Sequence, residues 1–220
     1  MHTHSEYSPD SRTPIAVQAA ALVAAGIDVV CATDHNTIEG ALRLREQASD
    51  KLRVIVGEEV SSRDGEIIGL FLEKPIPRDL PAEETIARIH DQGGIVSVPH
   101  PFSRNRLYHI KAGALERVHK QIDCIEVFNA REALMSDNRR ADAYAKERGI
   151  PGAVGSDAHR TSEIGRAWIE VDEFAGRDDF ITALRSGEVH GRLTGQAIHL
   201  ATRYDVFRKW LTRRRTRKSA

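Results

Sequence analysis

Two pairs of residues have the spacing of metal ligands in an extended strand. His2 and His4 are separated by one residue, and so are Asp157 and His159. Because side chains alternate between the two faces of a strand, residues i and i+2 point the same way and can bind one ion. Alone, the His-x-His pair is a weak signal, since it also arises by chance and in histidine-rich N-termini. It gains weight only where other ligand types converge on it.

Asp34 and His35 stand directly after an apolar run, residues 27–32, that has the character of a buried strand. The C-terminal ends of strands are where α/β enzymes place functional groups. Adjacent residues face different ways, so we expect one ligand and one residue that orients it. The alternative is structural, because Asp34 or Thr37 could cap the helix that follows.

Two carboxylates lie within the next apolar run, and a further histidine follows a later one. Glu58 and Glu59 lie within residues 54–60. At least one of these carboxylates should face the interior, where it needs a cation or strong hydrogen bonds. His100 follows residues 94–98 and stands between two prolines that fix its backbone. Taken alone, His100 is better explained as a capped loop histidine.

Polar groups also end the run that begins at Cys124, where Glu126, Asn129 and Arg131 could face the same mouth. Five strand ends that carry His, Asp or Glu are hard to attribute to chance. Mixed imidazole and carboxylate ligation favours manganese, zinc or iron over calcium. The candidate ligands outnumber those that one ion needs, so we predict a site of two or three divalent ions.

The elements that must position these groups follow from the apolar pattern, which alternates between short continuous runs and stretches of helical period. This pattern predicts an α/β fold in which parallel strands are joined by helices. The predicted strands are residues 28–32, 54–60, 67–72, 95–98, 124–128, 152–155 and 167–171. The predicted helices are residues 14–25, 38–48, 82–92, 112–120, 137–148 and 178–186. Pro14 at a helix start and Gly149 after a helix end support these limits.

The composition is that of one soluble globular domain: 220 residues, of which 40% are hydrophobic and 29% charged. The net charge of zero argues against an overall basic field for nucleic acid. Cys31 and Cys124 are too few for a disulfide framework, so a reducing cytoplasm is expected. No leader pattern is present and no run approaches the ~18 apolar residues of a membrane span, which disfavours secretion and membrane insertion.

The charge is unevenly distributed along the chain. Residues 203–220 carry eight Lys or Arg and one Asp, a local charge of +7, which leaves residues 1–202 at −7. We therefore predict a catalytic domain at residues 1–202 and a basic C-terminal helix or tail at 203–220. Phe207 and Trp210 have helical spacing and are expected to pack on the domain. Contact of the arginines with nucleic acid or an anionic surface is the less favoured alternative.

Taken together, these motifs resemble those of the polymerase and histidinol phosphatase (PHP) family, and especially its stand-alone predicted phosphoesterases. The resemblance rests on His2-Thr-His4, Thr33-Asp-His35, Gly57-Glu-Glu59, Pro99-His100-Pro101 and Gly155-Ser-Asp157-Ala-His159. It implies a distorted seven-stranded (β/α)7 barrel, similar to a TIM barrel, with a two- or three-metal site at its C-terminal mouth. It implies as ligands His2, His4, His35, Glu59, His100, Asp157 and His159, with Asp10 as a further ligand or substrate-side carboxylate.

Three features depart from the family pattern. One is on the loop after the fifth strand, where relatives with three metals add a histidine and this sequence has only Asn129 and Glu132 nearby. Only Met1 precedes His2, where many relatives have a few apolar residues that form the first barrel strand. Glu66 stands where some relatives place a histidine.

The expected activity is hydrolysis of a phosphomonoester or phosphodiester, in a small phosphorylated substrate or a nucleotide, through a metal-bound hydroxide. Asp157 or His159 would position the nucleophile, and His100 or Asp10 would protonate the leaving alcohol. Arg131, Arg160 and Asn129 are expected to contact the substrate, although solvated surface arginines explain the two arginines at least as well. A nuclease or nucleotide phosphatase, and a non-catalytic metal-binding regulatory module, stay open as alternatives.

Overall fold

The computed structural model describes residues 1–195 and, beyond them, residues 198, 202, 204, 206, 208 and 209. Within these residues the chain is α/β, as the apolar pattern predicts, and all seven predicted strands are present within a few residues of the expected limits. An eighth strand follows the last helix. The strands are β1 (Val29–Ala32), β2 (Arg53–Ser62), β3 (Gly65–Leu70), β4 (Ile95–Val98), β5 (Cys124–Asn129), β6 (Gly152–Gly155), β7 (Ala167–Glu170) and β8 (Glu188–Gly191).

Six α-helices lie within residues 1–195, each at a predicted position. They are α1 (Ile15–Ala24), α2 (Glu39–Gln47), α3 (Ala82–Asp91), α4 (Ala112–Val118), α5 (Met135–Arg148) and α6 (Arg177–Ser186). The C-terminal end of α5 illustrates the stop signal. Gly149 adopts φ +64°, and its N–H donates to the carbonyls of Ala145 and Lys146. Glycine enters this left-handed conformation without a steric cost, so the helix ends there.

The strands β1 to β6 form one sheet in the order of the sequence. Strands β1 and β2 are parallel, as are β4, β5 and β6, but β3 runs antiparallel to both β2 and β4. The expectation of parallel strands throughout is therefore wrong for β3, because only two residues separate β2 from β3 and a connection that short makes a hairpin. The reversal brings the beginning of β3 to the end of the sheet where β2 and β4 finish.

A seven-stranded barrel is not confirmed. In the part of the chain that the structure describes, the main sheet has six strands, and β7 pairs antiparallel with β8 in a separate two-stranded sheet. The main sheet is curled, since Cys31 of β1 belongs to the same apolar cluster as Cys124 of β5 and Ala153 of β6. We describe it as a curled six-stranded sheet that forms part of a barrel.

The first four residues bridge the two edges of this curled sheet. The amino group of Met1 donates to the carbonyl of Val154 at 2.8 Å, and Thr3 forms a parallel bridge with Ala158. On the other side, the N–H of Thr33 donates to the carbonyl of Thr3 at 3.0 Å. The segment thus lies where a further strand of the barrel would lie, although it is too short to be assigned as one.

Apolar residues fill both sides of the sheet. The larger cluster lies between the strands and helices α1 to α5, and includes Leu44, Val60, Ile86, Val96 and Leu115. The smaller cluster lies inside the curl and is closed by Phe180 and Leu184 of α6. Because this inner cluster occupies one end of the curl, the other end is left for polar groups.

None of the described helices is long and apolar enough to cross a membrane. The predicted packing of Phe207 and Trp210 falls on residues outside those that the structure describes. Of the described residues in this region, Lys209 donates from Nζ to the carbonyls of Glu6 and Ser8.

Candidate metal centre

Along the strands of the curled sheet, the inward-facing side chains are apolar at one end and polar at the other. In β2, Ile55 belongs to the inner apolar cluster, and Glu59, four residues on and therefore on the same face, reaches the polar end. In β5, Cys124 belongs to that cluster and Glu126 follows it on the same face. This alternation explains how short apolar strands position buried polar side chains at one mouth.

Glu59 lies at the centre of the polar cluster, within 3.1 to 3.3 Å of four imidazoles. Its Oε2 is 3.1 Å from His2 Nε2, 3.3 Å from His4 Nε2 and 3.2 Å from His35 Nδ1. Its Oε1 is 3.2 Å from His100 Nε2. Burial works to raise the pKa of Glu59, but the charges of His2 and His35 hold that pKa well below its usual range. One carboxylate thus connects four of the predicted ligands.

Asp157 lies beside Glu59 and faces the same imidazoles. Its Oδ1 is 3.4 Å from His4 Nε2 and 3.8 Å from His2 Nε2. The N–H of Asp157 donates to the carbonyl of His2 at 2.8 Å, which fixes the first residues against the loop after β6. Asp157 and His100 have φ values of +50° and +30°. Such a conformation is costly outside glycine and persists where the surrounding structure enforces it, often at functional sites.

Asp10, His35 and His159 form the more open side of the cluster. Asp10 Oδ2 is 2.8 Å from His159 Nε2 and 3.4 Å from His35 Nε2. The side chains of Asp10 and His35 are 21% and 16% exposed, whereas that of His159 is 3% exposed. Although burial opposes it, contact with His159 and His35 lowers the pKa of Asp10 below its usual range. The structure therefore brings all eight predicted ligands to one place.

Two further carboxylates reach this cluster that are not among the predicted ligands. Glu66 lies 3.8 Å from His35 Nδ1 and 3.7 Å from His100 Nε2. Glu126 lies 3.2 Å from His2 Nδ1 and accepts the N–H of His100 at 2.8 Å. The sequence predicts Glu126 at this mouth, as a polar group of β5, although not as a ligand. Glu66 could not be found in this way, because it begins a strand and reaches the mouth only through the antiparallel direction of β3.

The close approach of Glu126 to its neighbours requires a glycine at position 155. A Cβ atom at Gly155 would lie 1.7 Å from Glu126 Oε1 and 2.9 Å from His2 Cβ. These distances are far below van der Waals contact, so no side chain fits there. Gly155 is part of the site because it admits Glu126, although it contributes no ligand atom.

The donor set fits divalent ions. Four overlapping groups have ligand atoms that all lie within 4.8 Å of one another: His4, Asp10, His35 and His159; His2, His100 and Asp157; His2, His4 and Glu59; and His35, Glu59 and Glu66. Buried atoms without a hydrogen-bond partner among the described residues include His100 Nδ1, Asp157 Oδ1 and Asp10 Oδ1. Buried polar atoms without partners are rare in native proteins and often mark the position of an ion. Imidazole with carboxylate suits manganese, zinc or iron.

The pKa shifts of the cluster show that its buried carboxylates favour positive charge nearby. Burial works to lower the pKa of His35, but Glu59 and Asp10 raise that pKa to about 10. The pKa of His2 is likewise raised well above its ordinary value by Glu59 and Asp157 against the effect of burial. Burial and the nearby charge of Glu59 raise the pKa of Glu66 to about 8. Without bound cations, His2, His35 and Glu66 therefore tend to keep their protons, which offset the negative charge of the carboxylates. Bound cations would neutralise the same carboxylates.

The three residues predicted to contact substrate occupy different surroundings. The Arg131 side chain is 4% exposed, with Nε 3.1 Å from Glu163 Oε1 and Nη1 against His159 Nδ1. Asn129 is buried and donates from Nδ2 to Glu126 and Asp157. Arg160 is half-buried and stands just before a turn of 3-10 helix, Thr161–Glu163. Arg131 and Asn129 therefore lie beneath the ligands, and their contact with a substrate stays a prediction.

Asp34 and Glu58, the neighbours of two predicted ligands, have structural partners. Asp34 accepts hydrogen bonds from the N–H and hydroxyl of Ser5, both at 2.6 Å. Glu58 lies on the helix-facing side of β2 and accepts the N–H of Ile76 at 2.8 Å. Asp34 thus fixes the loop after His4, as expected of a residue that orients the site.

Comparison with known proteins agrees with this arrangement. Residues 1–135 match the PHP domain family, and residues 135–189 match the PHP-associated family. An uncharacterized protein of Methanocaldococcus jannaschii is 39% identical over 122 residues, which are 54% of this chain and 52% of that protein. The chain thus covers about half the length of this curated relative.

Two solved structures share the fold at low sequence identity. A two-domain protein from Bacteroides vulgatus, described as containing a predicted PHP-like metal-dependent phosphoesterase, has a TM-score of 0.70 and 18% identity over 94% of this chain and 68% of that one. The lesion-specific endonuclease EndoQ of Pyrococcus furiosus has a TM-score of 0.59 and 16% identity over 86% of this chain and 56% of that one. With its family match over residues 1–135 and the ligand cluster at the mouth of its curled sheet, the chain belongs to the PHP domain family.

Proposed function

We propose that the chain is a metal-dependent phosphoesterase that hydrolyses a phosphomonoester or a phosphodiester. The observation that carries the proposal is the position of Glu59, whose carboxylate lies within 3.3 Å of four imidazoles. A buried carboxylate so placed can bridge two ions, and the mixed donor set suits manganese, zinc or iron. The family match supports hydrolysis as the reaction class.

Two or three divalent ions, manganese, zinc or iron, would be held by the eight clustered residues His2, His4, Asp10, His35, Glu59, His100, Asp157 and His159. When bound, such ions neutralise the charge of a phosphoryl group, activate a water and align it with the leaving oxygen. The side chains determine where this chemistry happens. Because the described ligand groups share His2, His4, His35 and Glu59, the ions would lie close together.

The proton-transfer roles follow from exposure. The Asp10 side chain is 21% exposed, so Asp10 would meet a leaving alcohol at the open edge. Because His159 and His35 lower the pKa of Asp10, it would have to take up a proton there before passing it on. His100 has no exposed side-chain surface, which favours Asp10 over His100 for this role. Asp157 and His159 would orient the attacking water. Arg131, Arg160 and Asn129 would support the phosphate, with Arg131 acting through His159.

Metal analysis and a phosphate-release screen test this proposal. The protein is purified without chelators, its ions are quantified, and histidinol phosphate, mononucleotides and oligonucleotides are assayed with added manganese, zinc or iron. We expect metal-dependent turnover of at least one substrate, lost on chelation and in Asp157→Ala and His35→Ala. Bound metal without turnover of any substrate would favour the non-catalytic regulatory module instead. Undiminished turnover in both variants would contradict the proposed site.

A nuclease or nucleotide phosphatase is the second candidate, and one contact favours it. Lys209 Nζ donates to the carbonyl of Glu6 at 2.7 Å, beside the loop that follows His4. The basic run that begins at Arg213 follows Lys209 by only four residues in the sequence. Removal of the residues after Thr212 distinguishes the candidates. A nuclease should lose turnover of oligonucleotides and keep that of small esters, whereas a small-molecule enzyme should keep both.

A further inference from the structure

The candidate metal centre meets solvent along an edge formed by three side chains. Asp10, His35 and Arg106 are 21%, 16% and 19% exposed. In contrast, the side chains of His2, His4, His100, Glu59 and Asp157 are 1% exposed or less. A substrate that approaches the buried ligands must therefore pass Asp10, His35 and Arg106. Arg106 differs from the other two because a guanidinium keeps its positive charge at every physiological pH.

Arg106 contacts the centre directly. Its Nη2 forms an ion pair with Oδ2 of Asp157 and donates to Oδ1 of Asn129 at 3.3 Å. Asp157 thus presents Oδ1 to the imidazoles and Oδ2 to Arg106. A guanidinium has five N–H donors in a planar fork, so one nitrogen bound to a carboxylate leaves others for a ligand. The Nε atom of Arg106 is buried and lies 3.8 Å from Glu132 Oε1, so the donors left for a ligand are those of the Nη atoms.

The loop that carries Arg106 is anchored on both sides of the mouth. On the β5 side, Ser103 Oγ donates to Glu132 Oε2 at 3.0 Å, and Arg104 Nε donates to Asp137 Oδ1 at 2.9 Å. On the β3 side, the N–H of Glu66 donates to the carbonyl of Tyr108 at 2.8 Å. Arg106 lies between these anchors, so its position beside Asp157 is set by the structure of the loop.

Arg131 also contacts predicted ligands but is differently placed. Its side chain is 4% exposed, and Glu163 pairs with it at 3.1 Å. Its remaining contacts are with His159 and with Thr202 Oγ1, at 2.6 Å for the latter. A phosphate could reach this guanidinium only after buried contacts are broken. The exposed edge of Arg106 requires no such rearrangement.

We propose that Arg106 is the residue that binds the phosphoryl group of the substrate at the open edge of the centre, which it shares with Asp10 and His35. This inference rests on the proposed function, because it assumes a phosphoester as the substrate class. Guanidinium binds phosphate oxygens through paired, charge-assisted hydrogen bonds, which the Asp10 carboxylate cannot donate and the single ring of His35 cannot donate in pairs. Arg106 thereby selects substrates with an accessible anionic phosphate and holds Asp157 in place between turnovers.

The test measures binding of inorganic phosphate to the metal-loaded protein by isothermal titration calorimetry, with excess metal and with the bound ions counted. Arg106→Ala should weaken phosphate binding by about 10- to 100-fold, the loss expected for a charge-assisted hydrogen bond, while the number of ions stays equal to that of the wild type. Arg106→Lys should recover part of the affinity. Arg88→Ala is the matched control, since Arg88 lies in α3, is 47% exposed and pairs with Glu84 of the same helix, away from the loop that carries Arg106. It should bind phosphate like the wild type.

Unchanged phosphate affinity in Arg106→Ala would overturn the inference. So would a loss of ions in Arg106→Ala that accounts for its weaker phosphate binding, because Arg106 would then act only through Asp157. A wild-type protein that binds no phosphate would overturn it as well. The phosphate titration needs no turnover, so failure of the proposed phosphoesterase activity in the substrate screen is a separate result.

Discussion

Glu58 and Glu59 are neighbours in β2, yet their carboxylates lie on opposite faces of the sheet. Glu59 contacts four imidazoles inside the curl, whereas Glu58 accepts the N–H of Ile76 on the helix-facing side. Both side chains are buried, at 0% and 1% exposure. The same residue type, in the same strand and at the same depth, is thus available for two entirely different roles.

This relationship gives a first prediction. Glu59→Gln should bind fewer ions than the wild type and lose metal-dependent turnover, because an amide has one neutral oxygen where the carboxylate has two charged ones. Glu58→Gln should keep both, since its amide oxygen can still accept the N–H of Ile76. The metal content of the two variants, measured by mass spectrometry, tests this prediction. Equal metal content in both variants would show that Glu59 is not a ligand.

A second prediction concerns the effect of pH on stability. Burial raises the pKa of Glu58 from 4.5 to about 7, against the hydrogen bond from Ile76. The folded state therefore holds a proton that the unfolded state releases, so this residue makes the protein less stable as pH rises from about 4.5 to 7, with no further change above. A shift of this size corresponds to about 3 kcal/mol at pH 8.

Glu58→Gln removes that dependence and should be more stable than the wild type at pH 8, with little difference near pH 5. Urea unfolding of metal-free protein at both pH values measures the difference in free energy of unfolding between Glu58→Gln and the wild type. Other titrating groups contribute equally to both proteins and cancel in this difference. A Glu58→Gln advantage of the same size at both pH values would exclude ionisation of Glu58 as the cause.

The sequence predicts most of the fold and of the site because both depend on local patterns. Short apolar runs predict β1 to β7, and the i, i+2 spacing predicts that His2 with His4, and Asp157 with His159, face one site. Strand β8 has no such signal, because three of its four residues are exposed and its sequence, Glu188–Gly191, lacks a continuous apolar run. The hairpin of β2 and β3 is not predicted, because the predicted strands 54–60 and 67–72 leave six residues between them, whereas the strands in the structure are longer and leave only two.

Features that depend on side-chain direction or on long-range pairing are the ones that the sequence does not reveal. Arg131 follows β5 at the mouth, but only the structure shows that its guanidinium turns inward to Glu163. Glu66 precedes its apolar run, so a search of strand ends passes over it. The pairing of β7 with β8, and not with β6, likewise reflects competition between distant segments.

A third prediction tests the close approach at Gly155. Gly155→Ala places a methyl group 1.7 Å from Glu126 Oε1, so Glu126 and His2 must move. We expect a loss of about 1 to 3 kcal/mol in the free energy of unfolding, as for other overpacked interiors, together with weaker metal binding through His2. Urea unfolding and metal titration of the same samples measure both effects.

Gly113→Ala is the control for that substitution. Gly113 is exposed in α4, and the nearest atom to a Cβ there, Arg117 Nη1, is 4.0 Å away. Alanine should stabilise the protein by about 0.5 to 1 kcal/mol because glycine is costly inside a helix. A Gly155→Ala protein as stable and as metal-rich as Gly113→Ala would show that Glu126 is free to move.

A fourth prediction distinguishes the two roles open to Arg131. If this residue mainly holds His159 from beneath, removal of its partner in Glu163→Ala should leave a buried charge and destabilise the protein by about 3 kcal/mol or more. Arg131→Ala should have a comparable effect on stability, and in both variants the metal-loaded protein should release its ions faster, since His159 loses its support.

If Arg131 mainly binds substrate, Arg131→Ala should instead raise KM with stability and ion release unchanged, and Glu163→Ala should have little effect on KM. Chemical unfolding, ion release into a chelating dye and steady-state kinetics on the same preparations separate these outcomes, and the buried pairing of Arg131 with Glu163 leads us to expect the first.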